Sequence, residues 1–512
     1  MIRVAGARHP IVGGLLIFLI AVMSASAIGA SVGLLQSPVP LAAVLVAIGG
    51  AAMMIRPEVA TIVFAFALYV NAPDISVAFH GVPFEIAAGF VLLLAIPIVS
   101  FWRREKALLT RTPALLPMLA FTAAAILSAL LAVTLEPAVD WLATFAGEGV
   151  ILYLLVTSAI RSGKTLDRVI WAILFAGAVM AGLSVIQEVT QSYGQNFGGF
   201  AQITSRGIVV SESAIGEIRQ PRLSGPIGEQ NRYAQILLVL LPLAVYQFRR
   251  HGWGWMGGAA LAAGAAILAG MTLTYSRGAL IGLVVIAGMM LLLGYARGKQ
   301  LVLIGVLIGA GAVTAGPVLV GRIVSLAAVE DAFSAEGGTS DGSLRFRATV
   351  NLAAWNVFLD HPVLGVGPGL FETTYSTRYA NETGLNTFAS GAQAPAHNLY
   401  LAIAAELGIV GLVAITAAVG TTLWRLIQLR RWWVSRDRLR SDLATAFALS
   451  LLAYLVTGVF LHLAYMRYFW FLLALANAAI WVLSRDQRAL LDAEPAMTPT
   501  HRSGTLTTRA EG

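Results

Sequence analysis

Arg222, Arg277 and His397 are the residues whose type and setting point most directly to chemistry. Arg222 lies in Arg219-Gln220-Pro221-Arg222-Leu223-Ser224-Gly225-Pro226, just ahead of an apolar run that begins near Asn231. Arg277 lies in Thr274-Tyr275-Ser276-Arg277-Gly278, at the tip between two apolar runs. His397 opens another run in Pro395-Ala396-His397-Asn398-Leu399. A guanidinium is a planar fork of donors that meets phosphate bidentately, and an imidazole is the side chain whose ordinary pKa suits proton transfer near neutrality. Arg345 and Arg347 stand in the long segment between the last two of these stretches. Taken singly, each residue has a blander role: an arginine at a hairpin tip anchors at the membrane interface, and a histidine at a helix start serves as a cap. The elements that carry them decide which role applies.

Those elements are membrane spans. The chain of 512 residues is 58% hydrophobic and 12% charged, with a mean hydropathy of +0.79, against roughly 25% charged residues in soluble domains. Several apolar runs reach the ~20 residues a helix needs to cross the hydrocarbon core. Backbone groups in lipid must be satisfied within the segment, and runs such as Leu301 to Val320 lack the alternation of a β-barrel, so the fold expected is an all-α polytopic transmembrane bundle. About fourteen spans are expected, roughly 11–33, 39–55, 59–71, 83–101, 113–134, 141–160, 168–190, 231–248, 254–274, 278–295, 300–320, 397–424, 442–463 and 467–484. The third is short enough to be re-entrant or fused with its neighbour. Ala25-Ser26-Ala27 resembles a signal-peptide cleavage site, but the apolar run continues past it.

Charge orients the bundle. With a cytoplasmic N-terminus, 24 of the 34 Lys+Arg residues, all the lysines among them, fall in inside segments and ten arginines remain outside. That is the positive-inside asymmetry, and it accounts for the basic pI of 9.9 without nucleic acid as a partner. Both termini are expected in the cytoplasm. The chain divides into N-terminal helices (1–190), an outer loop (191–230), helices with the Arg277 hairpin (231–320), a large, partly helical outer loop (321–396), C-terminal helices (397–484) and a disordered cytoplasmic tail (485–512). The absence of cysteine excludes disulfides, thiol nucleophiles and Cys-ligated zinc.

Long loops carry function more often than short ones, so the outer face is where chemistry is expected. Leu344, Leu352, Trp355 and Leu359 recur at helical spacing and predict a helix along the membrane surface, ended by His361-Pro362. Gly365-Val366-Gly367-Pro368-Gly369 predicts a tight turn rather than a phosphate loop, because no strand precedes it and no Lys-Ser/Thr follows. The spans starting near Asn231, Ser276 and His397 all run from outside to inside. Their helix N-termini, with free N–H groups, therefore face the outer surface and suit anions. Glu148, Glu188 and Glu406 lie within spans and are expected to be paired or functional. On a straight helix Glu406 falls opposite His397 and roughly 13 Å deeper, which predicts a contact to another helix. His462, with Tyr465 and Arg467 nearby, is a candidate for the outer rim. His80 and His361 stand in turn-like sequence without evident partners.

In order and spacing these motifs are similar to those of the O-antigen ligase and polymerase superfamily, bacterial enzymes that transfer glycans from undecaprenyl pyrophosphate. The resemblance runs from about Arg222 to Gly408. It comprises the Arg222…Gly225…Asn231 segment leading into Leu240-Leu241-Pro242-Leu243, then Thr274-Tyr275-Ser276-Arg277-Gly278, Asp360-His361-Pro362-Val363-Leu364-Gly365-Val366-Gly367, and His397-Asn398-Leu399-Tyr400-Leu401 with Glu406-Leu407-Gly408. It implies a membrane glycosyltransferase-type helical fold of twelve or more spans and a metal-independent, inverting transferase without a cofactor. The site would face the periplasm of the bacterial inner membrane. Arg222 and Arg277 match the arginines thought to hold the donor pyrophosphate, and His397 matches the essential histidine. Arg345 and Arg347 sit where the outer loop could add substrate contacts. The implied partners are an undecaprenyl-pyrophosphate-linked saccharide donor, a glycan or lipid A-core acceptor, and membrane lipids. Ligase, polymerase and protein O-glycosylase remain open, with the extra spans leaning toward polymerase of a cell-surface polysaccharide and the short tail against protein glycosylation. The reading from another class is a transporter or flippase of a lipid-linked or anionic substrate, which should hold polar residues near the bilayer midplane; here they gather at the outer face.

Overall fold

The computed structural model describes Met53 and residues 55–105, 110–213, 216–295, 342–383, 393–462 and 466–493. The spans expected over 11–33 and 300–320, nearly all of that over 39–55, the cleavage-like Ala25-Ser26-Ala27, the outer-loop residues 321–341 and the tail after Ala493 lie outside the described residues.

The protein is an all-α polytopic bundle. Among the described residues, six helices are long and apolar enough to cross a membrane, or seven if one bent pair counts as a span. That pair is α1 (Pro57–Tyr69) and α2 (Ala72–His80), which meet at 58° across Asn71, held at φ 61°. The short third span expected over 59–71 is therefore the first arm of this bent pair, and Asn71 ties the bend to the loop ahead of Asn231 by donating Nδ2 to the Pro226 carbonyl at 3.0 Å. The next stretch is irregular, with α3 (Phe84–Gly89), a 3₁₀ segment over Phe90–Leu94, and α4 (Ala95–Glu105). Then come α5 (Leu115–Leu130) and α6 (Glu136–Phe145), the latter joined through a π-helical segment (Ala146–Ile151) to α7 (Leu152–Ala159). The long α8 (Gly163–Val189) starts where the Ser162 hydroxyl accepts from Thr165 N at 3.0 Å, which satisfies one of the free donors of a helix start.

The outer loop that follows is not irregular throughout. Strands β1 (Gln202–Ser213) and β2 (Gly216–Gly225) form an antiparallel hairpin, with Ile203 opposite Leu223 and Thr204 opposite Arg222. The sequence carried the signal in its β-branched run Ile208-Val209-Val210. Beyond it the expected eighth span divides into α9 (Gln230–Leu238) and α10 (Leu241–His251), with Pro242 in the first turn of the second. Next come α11 (Trp255–Thr272) and α12 (Arg277–Leu292).

The outer-loop helix forms as expected, α13 (Gly342–Asp360), but its inner face differs. Val350, Ala353, Ala354 and Val357 are buried, whereas Trp355 and Leu359 point outward. Small residues let α13 approach α15 closely, and its buried face shares a cluster with Ala129, Ala138 and Ala405. A π-helical turn (Phe371–Tyr375) and α14 (Ser376–Glu382) complete the described part of this loop.

The C-terminal spans are α15 (Leu399–Trp433), α16 (Arg438–Gly458) and α17 (Met466–Ala493); α17 continues past the expected end of its span at 484. α15 is broken at Gly408, where φ is 61° and ψ −163°. The glycine-rich segment closes the break: Ile409 N donates to Pro362 O at 2.8 Å, Val366 N to Ala405 O at 3.0 Å, and Gly367 N to Glu406 O at 3.0 Å. The Ser128 hydroxyl of α5 bridges the Leu364 and Glu406 carbonyls at 2.6 and 2.8 Å. The turn therefore serves as an external partner for the freed backbone groups of a span, which lipid could not satisfy.

Candidate active site

The start of α9 is built by Glu229. Its carboxylate caps the helix by accepting from Asn231 N at 3.0 Å and Arg232 N at 2.6 Å, and it also accepts from Asn231 Nδ2 at 2.8 Å. Asn231 Oδ1 accepts from Arg222 Nη2 at 3.2 Å. Arg222 also donates Nε to the Thr274 carbonyl at 2.9 Å and Nη2 to that of Tyr275 at 3.4 Å. The arginine at the end of the hairpin thus braces the turn that delivers Arg277. That turn is tight: Tyr275 adopts φ 52°, a conformation non-glycine residues hold only when their surroundings impose it.

Arg277 is the first residue of α12, and Ser276 ahead of it makes no side-chain cap. The other two helix ends expected to bind anions are already satisfied by their own side chains. Glu229 caps α9, and Asn398 caps α15 by accepting from Tyr400 N at 2.9 Å and Leu401 N at 3.2 Å. The geometry therefore concentrates the anion-binding potential of the three ends at α12, beside Arg277.

The turn after α16 is where the three helix starts meet. A Cβ at Gly278 would lie 3.0 Å from the Phe460 ring, so α12 abuts this turn closely. Arg232 Nη2 donates to the His462 carbonyl. The His397 ring packs edge-to-face on His462 at 6.0 Å and on Phe346 of α13 at 6.0 Å. Burial is the main cause that lowers the His397 pKa to about 4; the Arg347 charge adds to it, Glu229 opposes it and Arg232 reinforces it. His462 is likewise held well below its ordinary value, by burial first, then by Arg232 and His397. Both imidazoles are neutral near pH 7.

Arg222, Arg277, His397 and Arg347 thus belong to one connected constellation. Arg345 lies near the start of α13, two residues before Arg347. Sequence reasoning missed Glu229 and Arg232. Their signal was an acid at a helix start followed three residues later by an arginine on the outer side of the chain, hidden because the residues were read as the edge of a span.

The intramembrane carboxylates have partners. Glu148 pairs with Arg467 Nη2 at 2.6 Å, and Arg467 Nη1 with Asp74 at 2.8 Å, at the polar end of an apolar cavity of about 390 Å³ between α1–α3 and the π-helical segment. Glu188 accepts from the Tyr193 hydroxyl at 3.0 Å. Glu406 meets the backbone N–H groups of Gly369 and of Phe371, the first residue of the π-helical turn, which is the contact to another helix that its position predicted. His80 Nε2 lies 3.0 Å from the Gly198 carbonyl, and His361 packs on Tyr375 at 6.1 Å.

Several apolar helices able to cross a membrane, with arginines and paired imidazoles gathered at the turn after α16, mark a multi-pass membrane protein. Residues 259–416 match the family model described as O-antigen ligase. The match supports the O-antigen ligase/polymerase superfamily and, in general terms, O-antigen ligase-type glycan transfer involving lipid-linked glycans. It spans Arg277, Arg345, Arg347 and His397; Arg222 and Arg232 precede it. No curated protein matches the chain.

Proposed function

We propose that this protein transfers a saccharide from an undecaprenyl-pyrophosphate-linked donor to a hydroxyl of a glycan or lipid A-core acceptor. The reaction takes place at the periplasmic face of the inner membrane, in O-antigen or exopolysaccharide assembly. The observation that carries the reading is the meeting of His397 with the starts of α9 and α12 at the turn after α16.

In this reaction His397 takes the proton of the acceptor hydroxyl as its oxygen attacks the anomeric carbon from the face opposite the diphosphate. The bond from that carbon to the diphosphate oxygen breaks, and its electron pair leaves on undecaprenyl pyrophosphate. The configuration inverts, and the proton passes from the imidazole to solvent or to the departing diphosphate. Fixed donors placed where charge develops stabilise such a leaving group without reorganising. Arg277 and the uncapped start of α12 supply them, Arg222 holds the turn that presents them and adds its own charge, and Arg347 contributes from the outer loop. No step requires a metal. Burial of His397 keeps the base unprotonated, although a base of low pKa has less intrinsic driving force for proton abstraction.

Purified protein in nanodiscs, supplied with lipid-linked oligosaccharide and candidate acceptors, tests the reading on gels. One added band identifies a ligase and a ladder a polymerase. Arg277→Lys should lose about 10²-fold in turnover, because a point charge lacks the fork. A fully active Arg277→Lys enzyme removes the clamp, and no product with any acceptor favours a transporter.

A further inference from the structure

Arg232 is 2% exposed, a cation buried within the first turn of α9. A buried guanidinium is costly unless its donors are satisfied, and here they are directed to one place. Nη1 donates to Gln235 Oε1 at 3.1 Å and Nη2 to the His462 carbonyl. Gln235 Nε2 in turn donates to Thr457 Oγ1 at 2.9 Å and to the Tyr454 carbonyl at 3.2 Å. The pair therefore fastens α9 to the last turn of α16 and to the residue that leaves it.

That residue carries the second imidazole. The His462 ring lies edge-to-face on His397, and the Nδ1 atom of each is buried without a hydrogen-bond partner among the described residues. Protonating either ring would place a second positive charge beside Arg232 where water is scarce, a cost that rises as the local dielectric falls.

We propose that Arg232 is a positioning residue for His397: through the His462 turn it sets the second imidazole against the first, in a buried setting where a further positive charge is disfavoured. The inference rests on His397 being the base. Among the described residues, the groups facing the pair are Arg347 and Phe346 from α13, Glu229 and Arg232 at the start of α9, and each ring from the other's turn. Arg347 acts in the same direction as Arg232, and Glu229 opposes both. Arg232 also holds the backbone of the second ring.

The test uses the full chain in nanodiscs and follows carbethoxylation of His397 by diethylpyrocarbonate, resolved by peptide mass spectrometry as a function of pH. Only the neutral ring reacts, and no turnover is needed. In the wild type the midpoint should lie below pH 5. Arg232→Met removes a charge that opposes protonation and loosens the His462 turn, and should raise it toward the ordinary histidine value near 6.5. Arg232→Lys keeps the charge and should leave the midpoint within a few tenths, while the loss of the fork to the His462 carbonyl lowers kcat more than it changes KM. The acid limb of kcat/KM for glycan transfer should follow the labelling midpoint in each variant. A wild-type midpoint near 6.5, an unchanged midpoint in Arg232→Met, or a full-unit shift in Arg232→Lys overturns the proposal. If Arg232→Met does not fold, the wild type and Arg232→Lys still decide it. Failure of glycan transfer in the wild type would count against the proposed function and leave the labelling readable.

Discussion

His397 shows how burial and charge select one protonation state. Its pKa is lowered to about 4, mainly by desolvation and then by the Arg347 charge. A base works only when neutral, so the acid limb of kcat/KM should fall near pH 4 rather than near 6.5. Transfer that declines with a midpoint at 6.5 would mean that the ring is more hydrated than its packing on Phe346 and His462 implies. Arg222 illustrates the opposite limit of sequence reasoning. Its type suggested a ligand contact, yet the structure directs its Nε to the Thr274 carbonyl and its Nη2 to Asn231 and Tyr275. A side chain can brace a site and still lend it charge, and its type cannot apportion the two.

The break in α15 governs the position of the helix that follows His397. A Cβ at Gly408 would lie 2.2 Å from the Val363 carbonyl oxygen, and one at Gly365 2.3 Å from the Glu406 carbonyl carbon. The backbone at Gly408 is also in a region open essentially to glycine alone. Gly408→Ala should therefore destabilise the protein by about 1–3 kcal/mol and release the outer loop from the span, lowering the melting temperature in detergent. Gly420→Ala, in the same helix with nothing within 4 Å of the added carbon, should melt like the wild type. Equal melting of both variants would show that the docked segment contributes nothing. The sequence made the segment legible as a turn, because Gly and Pro punctuate locally. Its partner lay some forty residues away, and no local pattern encodes that pairing.

At the scale of the whole molecule, the arrangement of charge predicts which face is outside. The native chain has no cysteine, so single cysteines report without background. A membrane-impermeant maleimide applied to spheroplasts should label Thr374→Cys, on the exposed outer-loop turn, and should label Ser435→Cys, between α15 and α16, only after lysis. The reverse pattern would put the constellation in the cytoplasm and remove the periplasmic reading. The same charges made the spans countable, although α9–α10 and the stretch from α3 to α4 are divided where continuous spans were expected, and the short third span is one arm of the bent pair α1–α2.

Composition and the positive-inside asymmetry were sufficient for an all-α membrane bundle, because insertion into lipid is decided by hydrophobicity and charge along the chain. Local spacing likewise singled out Arg277 and His397, which lie at helix starts that turn and cap residues mark, and Arg222, in the strand that leads to the start of α9. Their convergence on the turn after α16, the burial of Arg232 and the His397–His462 contact depended on tertiary structure. These contacts join residues up to 230 positions apart, and only packing of the spans against one another brings such residues together.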